Sequence, residues 1–132
     1  MENYFVIQTK LPSLNDVIAK NRSNKYAGAK MKQEIEDIIS WQLRLALARG
    51  HLHAVKEQCE LQIDFYEKTK RRDVDNIQSS QKFILDAMVS QGILPDDSRR
   101  FVAQIHHTIF DAAEDYVVVH ILPVKSVETK QI

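Results

Sequence analysis

The longest periodic stretch in the chain does most to limit its fold. From Ala29 to Arg49, the residues Met31, Ile35, Ile38, Ile39, Leu43, Ala46 and Leu47 recur at helical spacing, and Gly50 follows as a C-cap. A helix with one apolar stripe needs an apolar surface to lie on. The alternating segments can supply it. In Val55 to Tyr66, the residues Cys59, Leu61, Ile63 and Phe65 face one way, and Glu60, Gln62, Asp64 and Tyr66 face the other. Tyr4 to Lys10 reads as a first strand, with Tyr4 and Val6 opposite Phe5 and Ile7. Val117-Val118-Val119 is almost continuously apolar, which marks a central strand.

The remaining segments fall between these. Pro12-Ser13 ends the first strand, and Ser13 can cap a short helix through about Lys20. Asn21 to Gly28 is polar and basic and reads as a loop. Asp75 can cap a helix running to about Ser90, which Gly92 terminates before a turn at Pro95 to Ser98. Phe101 to Phe110 and Tyr116 to Leu122 read as a hairpin across Asp111-Ala112-Ala113-Glu114. The order predicts an α+β fold, a single domain with one mixed β-sheet packed by helices. That domain is expected over residues 1–125, with 126–132 as a loose tail.

Several classes are disfavoured. No apolar stretch is long enough to span a bilayer, and Met1-Glu2-Asn3-Tyr4 does not begin a signal peptide. The single cysteine, Cys59, excludes an internal disulfide and a cysteine-based zinc site. These features together predict a cytoplasmic protein. With only Gly28, Gly50 and Gly92, there is no glycine-rich phosphate loop, so no nucleotide cofactor is expected. The net charge is zero but unevenly spread. Residues 1–72 carry 13 Lys and Arg against 9 Asp and Glu, whereas residues 73–132 carry 5 against 9. Lys25, Lys30, Lys32, Lys70, Arg71 and Arg72 are candidates for an electrostatic track along a phosphate backbone.

The chemistry concentrates in Arg71-Arg72-Asp73-Val74-Asp75-Asn76 and, about twenty residues later, Pro95-Asp96-Asp97-Ser98. Carboxylates held close together repel unless a proton or a cation intervenes. Hard oxygen donors suit Mg²⁺ or Mn²⁺. Basic residues beside such a cluster suit a phosphodiester substrate. Each part has a simpler explanation. Asp75 with Gln78 fits a helix cap, Asp96-Asp97-Ser98 fits a solvated turn, and Lys82 with Asp86 fits a surface ion pair at i, i+4. The adjacent His106 and His107 have no companion ligands in sequence and read as surface or hydrogen-bonded histidines.

As a set, these residues resemble a known family. The pattern Asp73-x-Asp75-Asn76, then Lys82-Phe83-Ile84-Leu85-Asp86-Ala87, then Gly92 and Asp96-Asp97-Ser98, is similar to that of the RusA Holliday-junction endodeoxyribonucleases. Leu11-Pro12-Ser13-Leu14-Asn15 looks like that family's opening segment, and the resemblance spans residues 4–122. It implies that Asp73, Asp75 and Asp97 bind the metal, with Asn76, Asp86 and Asp96 as outer supports. It also implies a lysine on the intervening helix and an arginine before the motif, for which Lys82 and Arg72 are the candidates. The interval from Asn76 to Asp86 is longer here than in the family's best-known members. Counted forward from Asp75, the family lysine falls on Ser79; counted back from Asp86, it falls on Lys82, the preferred position.

The expected function is a homodimeric, Mg²⁺-dependent endonuclease that resolves four-way DNA junctions by paired cuts, with Mn²⁺ able to substitute. Two symmetric cuts suit a two-fold dimer. The alternatives are a non-catalytic branched-DNA-binding protein with the same fold, or another metal-dependent phosphohydrolase.

Overall fold

The element order in the computed structural model, which describes residues 2–124, is β1 (Tyr4–Ile7), α1 (Leu14–Ser23), α2 (Lys25–Ala48), β2 (Cys59–Glu67), α3 (Val74–Gln78), α4 (Gln81–Ser90), β3 (Val102–Asp111) and β4 (Tyr116–Pro123). The four strands form one mixed sheet in the order β1-β4-β2-β3. The α+β architecture expected from the sequence is what the chain adopts. The tail expected at 126–132 lies outside the described residues.

Alternation decides the two faces of the sheet. Phe5, Ile7, Leu61, Ile63, Phe65, Val117, Val119 and Ile121 are buried on one face. Against them pack Ile35, Ile39 and Leu43 of α2 and Phe83, Ile84 and Met88 of α4. α2 also lies on α4 and β1, so the long helix does find the sheet its stripe required. No helix among the described residues is long and apolar enough to cross a membrane.

Three boundaries differ from expectation. First, Asn21 to Gly28 is not a loop. α1 continues to Ser23, and Asn24 caps α2 by accepting a 2.8 Å hydrogen bond from the Tyr26 N–H. Gly28 is buried, and a Cβ there would displace the Asn21 side chain of α1. Second, the helix expected from Asp75 to Ser90 is broken at Ser79–Ser80 into α3 and α4, and Asp73 rather than Asp75 stands at its N-cap. Ser80 is fully buried, and its hydroxyl donates to the Ile77 carbonyl at 2.9 Å, an interaction that competes with helix continuation. Third, β3 and β4 are not a paired hairpin. β2 lies between them, parallel to β3 and antiparallel to β4. β2 is the strand with the most continuous burial, so it is stabilised by neighbours on both sides. The connection crosses the end of β2, where the Ala112 N–H donates to the Glu67 carbonyl at 3.0 Å and the Lys68 N–H donates to Asp115 at 2.7 Å. β4 is central, as its apolar run predicts, flanked by β1 and β2.

Ser13 opens α1 with a reciprocal capping box. Its Oγ accepts from the Asp16 N–H, and the Asp16 carboxylate accepts from the Ser13 N–H. Ser13→Ala is therefore expected to cost about 1 kcal/mol. Thermal unfolding should register a fall in midpoint of roughly 3 °C. An unchanged midpoint would show that the cap contributes nothing to stability.

A candidate acidic active-site cleft

The acidic motif is built from short elements tied to the sheet and to α1. Asp73 has extended backbone, and its side chain makes no capping hydrogen bond, so its exposed carboxylate remains free of the helix end it precedes. Asp75 lies in the first turn of α3, where Oδ1 accepts from the Asn76 N–H at 3.0 Å. Asn76 Oδ1 accepts from Asn15 Nδ2 at 2.8 Å. The Leu14 N–H donates to Ser79 Oγ at 3.0 Å, and the Ser79 hydroxyl donates to the Asn76 carbonyl at 2.7 Å. The opening segment around Leu14 and Asn15 thus clamps α3 from a position more than sixty residues away in the chain.

The two aspartates of the later pair have different environments. The Ser98 N–H donates to Asp96 Oδ1 at 2.7 Å, and hydrogen bonding to Ser98 holds the Asp96 carboxyl below its usual range. Asp96 is thus engaged in the turn, while Asp97 lines a cleft of about 430 Å³. Asp75, Ser79, Lys82, Asp86 and His107 line the same cleft. Four of the positions singled out in sequence, Asp75, Lys82, Asp86 and Asp97, are therefore brought together, although they derive from α3, α4 and a loop. Asp73 and Asp96 are not among the lining residues. A larger cavity of about 680 Å³ beside the start of β2 and the end of β4 lacks such a convergence of acids among the described residues, of which Glu57 is the one carboxylate on its wall.

The donors in the cleft are hard oxygens, the chemistry that Mg²⁺ takes. Among the described residues, no three His, Cys, Asp or Glu side chains stand in a ready-made metal-holding arrangement. Lys82 makes a 3.4 Å ion pair with Asp86, and at 59% and 31% side-chain exposure such a pair holds the ammonium only weakly. Both candidates for the family lysine, Lys82 and Ser79, face the cleft. The longer interval between Asn76 and Asp86 contains the break at Ser79–Ser80 that separates α3 from α4.

The family model described as Endodeoxyribonuclease RusA matches residues 11–121. The chain belongs to the RusA family. No curated protein matches it. The RusA match covers every element from α1 to β3 and most of β4, so it takes in both acidic segments and the clamp from Leu14 and Asn15.

The basic residues divide three ways. Lys25, Lys30 and Lys32 are exposed along the N-terminal turns of α2. Lys70 sits 3.4 Å from Asp111 with both side chains mostly exposed, and Arg71 is exposed beside it. Arg72 is engaged inside the protein. Its Nε and Nη2 donate to the two Glu67 oxygens at 3.0 and 3.1 Å, and Nη1 donates to the Leu11 carbonyl at 2.9 Å. The arginine that the sequence assigns to DNA is thereby committed to joining β2 to the segment before α1.

His107 is the cleft residue that sequence reasoning set aside. His106 and His107 are adjacent on β3, so they point to opposite faces. His106 lies 2.9 Å from Glu60, while His107 contacts Gln81 at 2.6 Å and lines the cleft. The strand alternation of Phe101 to Phe110 could have separated them: His107 shares the parity of Ile105 and Ile109, which pack against the core.

Proposed function

We propose that this chain is a Mg²⁺-dependent endodeoxyribonuclease that resolves four-way DNA junctions by paired symmetric cuts as a homodimer. The supporting observation is the convergence of Asp75 and Asp97 with Lys82 on one cleft, in a chain that belongs to an endodeoxyribonuclease family. Asp75 and Asp97, with Asp73 two residues from Asp75, would hold the ion. When bound, the ion supplies Lewis-acid stabilisation of charge on the phosphate. Lys82, released from Asp86, would place its ammonium against a non-bridging phosphate oxygen. In-line attack by water would leave a 5′-phosphate and a 3′-hydroxyl. Two copies related by a two-fold axis would present matched clefts to opposite strands of a junction.

The deciding experiment compares a synthetic four-way junction with a linear duplex of the same sequence, with and without Mg²⁺. Symmetric, Mg²⁺-dependent incision of the junction alone supports the reading. Tight junction binding without incision would identify a non-catalytic binding protein, and hydrolysis of mononucleotides in preference to DNA would identify another phosphohydrolase.

The exposed cations would guide the phosphate backbone. Replacing Lys25, Lys30, Lys32 and Arg71 together with Ala is expected to weaken binding. It should also flatten the log–log salt dependence by about 0.9 for each phosphate that the variant no longer neutralises on duplex arms. Binding measured from 50 to 200 mM salt tests this, and a wild-type slope would remove these residues from the DNA path.

A further inference from the structure

The cleft contains a half-buried imidazole for which the acidic motif has no use. His107 projects from β3 on the helix-covered side, paired across the sheet with Ile63 of β2. Phe65 packs against it edge-on, with ring centroids 5.4 Å apart and planes at 90°. Its Nε2 lies 2.6 Å from Gln81 Oε1 at the start of α4. With the Gln81 carboxamide oxygen turned to the ring, as here, Gln81 can only accept, an arrangement that calls for the proton on Nε2 and the lone pair on Nδ1. Three partners therefore set the ring's depth and tilt, which is more constraint than a solvent-facing histidine receives.

We propose that His107 is a further catalytic residue of this nuclease, the acceptor of the proton released by the attacking water, and that Gln81 is its positioning residue. This inference rests on the nuclease reading above. As the water oxygen forms its bond to phosphorus, the O–H bond breaks and the proton passes to His107 Nδ1. The P–O3′ bond breaks with its electron pair on O3′, which takes a proton from solvent. The imidazolium then returns its proton to solvent, leaving the 5′-phosphate and 3′-hydroxyl with the enzyme unchanged.

The charge state at neutral pH is compatible with this role. Burial pushes the His107 pKa below its ordinary value, so the ring is neutral and able to accept. The charged groups on the same cleft are Asp75 from α3, Lys82 and Asp86 from α4, and Asp97 from the loop before β3, while Ile63 and Phe65 of β2 meet the ring with apolar side chains.

The test uses the full-length protein on a four-way junction with Mg²⁺. His107→Gln is expected to lower kcat by about 100-fold with KM nearly unchanged, and to remove the acid limb of the pH–kcat profile. Gln81→Ala should lower kcat less and keep that limb. A second measurement needs neither DNA nor metal. Nitrogen NMR of the imidazole should show His107 neutral with its proton on Nε2 at pH 7 in wild type, and mixed tautomers in Gln81→Ala. Wild-type kcat and an intact acid limb in His107→Gln would overturn the proposal while leaving the nuclease reading standing. A ring that is protonated at pH 7, or that carries its proton on Nδ1, would do the same. A wild-type protein that does not cut the junction would overturn both.

Discussion

Asp75→Asn and Asp97→Asn should each slow junction cleavage by on the order of 1,000-fold while leaving junction binding within a few-fold of wild type. Charge stabilisation of a transferring phosphate by a bound cation amounts to several kcal/mol, and each 1.4 kcal/mol is about tenfold in rate. An amide in place of one carboxylate oxygen removes a negative charge without changing the side chain's size. Affinity should come mainly from exposed Lys and Arg, which these substitutions leave alone. Asp73→Asn is expected to match them if its carboxylate joins the ion from outside the cleft wall; retained activity would limit the metal site to the cleft. Thermal unfolding provides an independent readout. Mg²⁺ at a hundredfold excess over its dissociation constant should stabilise the wild type by about 2.7 kcal/mol. Asp75→Asn and Asp97→Asn should lose most of that gain. Parallel loss of cleavage, junction binding and metal-free stability would instead assign these aspartates to folding.

What the sequence disclosed follows from which forces are local. Alternation in β2 and the helical stripe of α2 depend on residues a few positions apart, so both faces of β2 and the Ile35, Ile39, Leu43 and Ala46 core of the α2 stripe could be read directly, whereas Ile38 and Leu47, assigned to the same stripe, lie at its edges and are exposed. The position of β2 between β3 and β4 could not, because a short connection such as Asp111 to Tyr116 reads the same whether it joins neighbours or passes over a strand end. The start of α2 was obscured because Lys25, Tyr26, Ala27 and Gly28 carry no apolar period. Their helix begins on the Asn24 cap and on contact with α1. In the site, Asp75 and Asp97 were legible as a pair of motifs. The different environments of Asp96 and Asp97 do not follow from the residues alone, since a turn hydrogen bond to Ser98 engages one of two neighbours of identical chemistry; only the family resemblance distinguished them. Arg72 shows the same limit. Its position before the motif suggested DNA, but Glu67, five residues earlier, engages it; Glu67 continues the buried parity of Cys59, Leu61, Ile63 and Phe65, one residue beyond where the sequence places the end of the strand.

Arg72→Ala should consequently act on stability before it acts on DNA. Glu67 is 5% exposed at its side chain and Arg72 is 16% exposed, so both ions are largely removed from water and each depends on the other. Taking away the guanidinium leaves a buried carboxylate without its two charged donors and the Leu11 carbonyl without its Nη1 partner. Breaking a buried pair in this way costs about 3–5 kcal/mol. For a domain of this size, the melting temperature should fall by roughly 10–15 °C. Arg72→Lys cannot restore the fork, because an ammonium offers one point of charge where the guanidinium offers parallel donors. The double substitution Glu67→Leu with Arg72→Met removes both charges, and it is expected to recover most of the lost stability. Cleavage measured well below the melting point then separates the two roles of Arg72. If the double variant cuts a junction at near wild-type rate, the arginine before the motif is an internal strut. If the variant is stable but slow at saturating DNA, the guanidinium leaves Glu67 to act on the substrate.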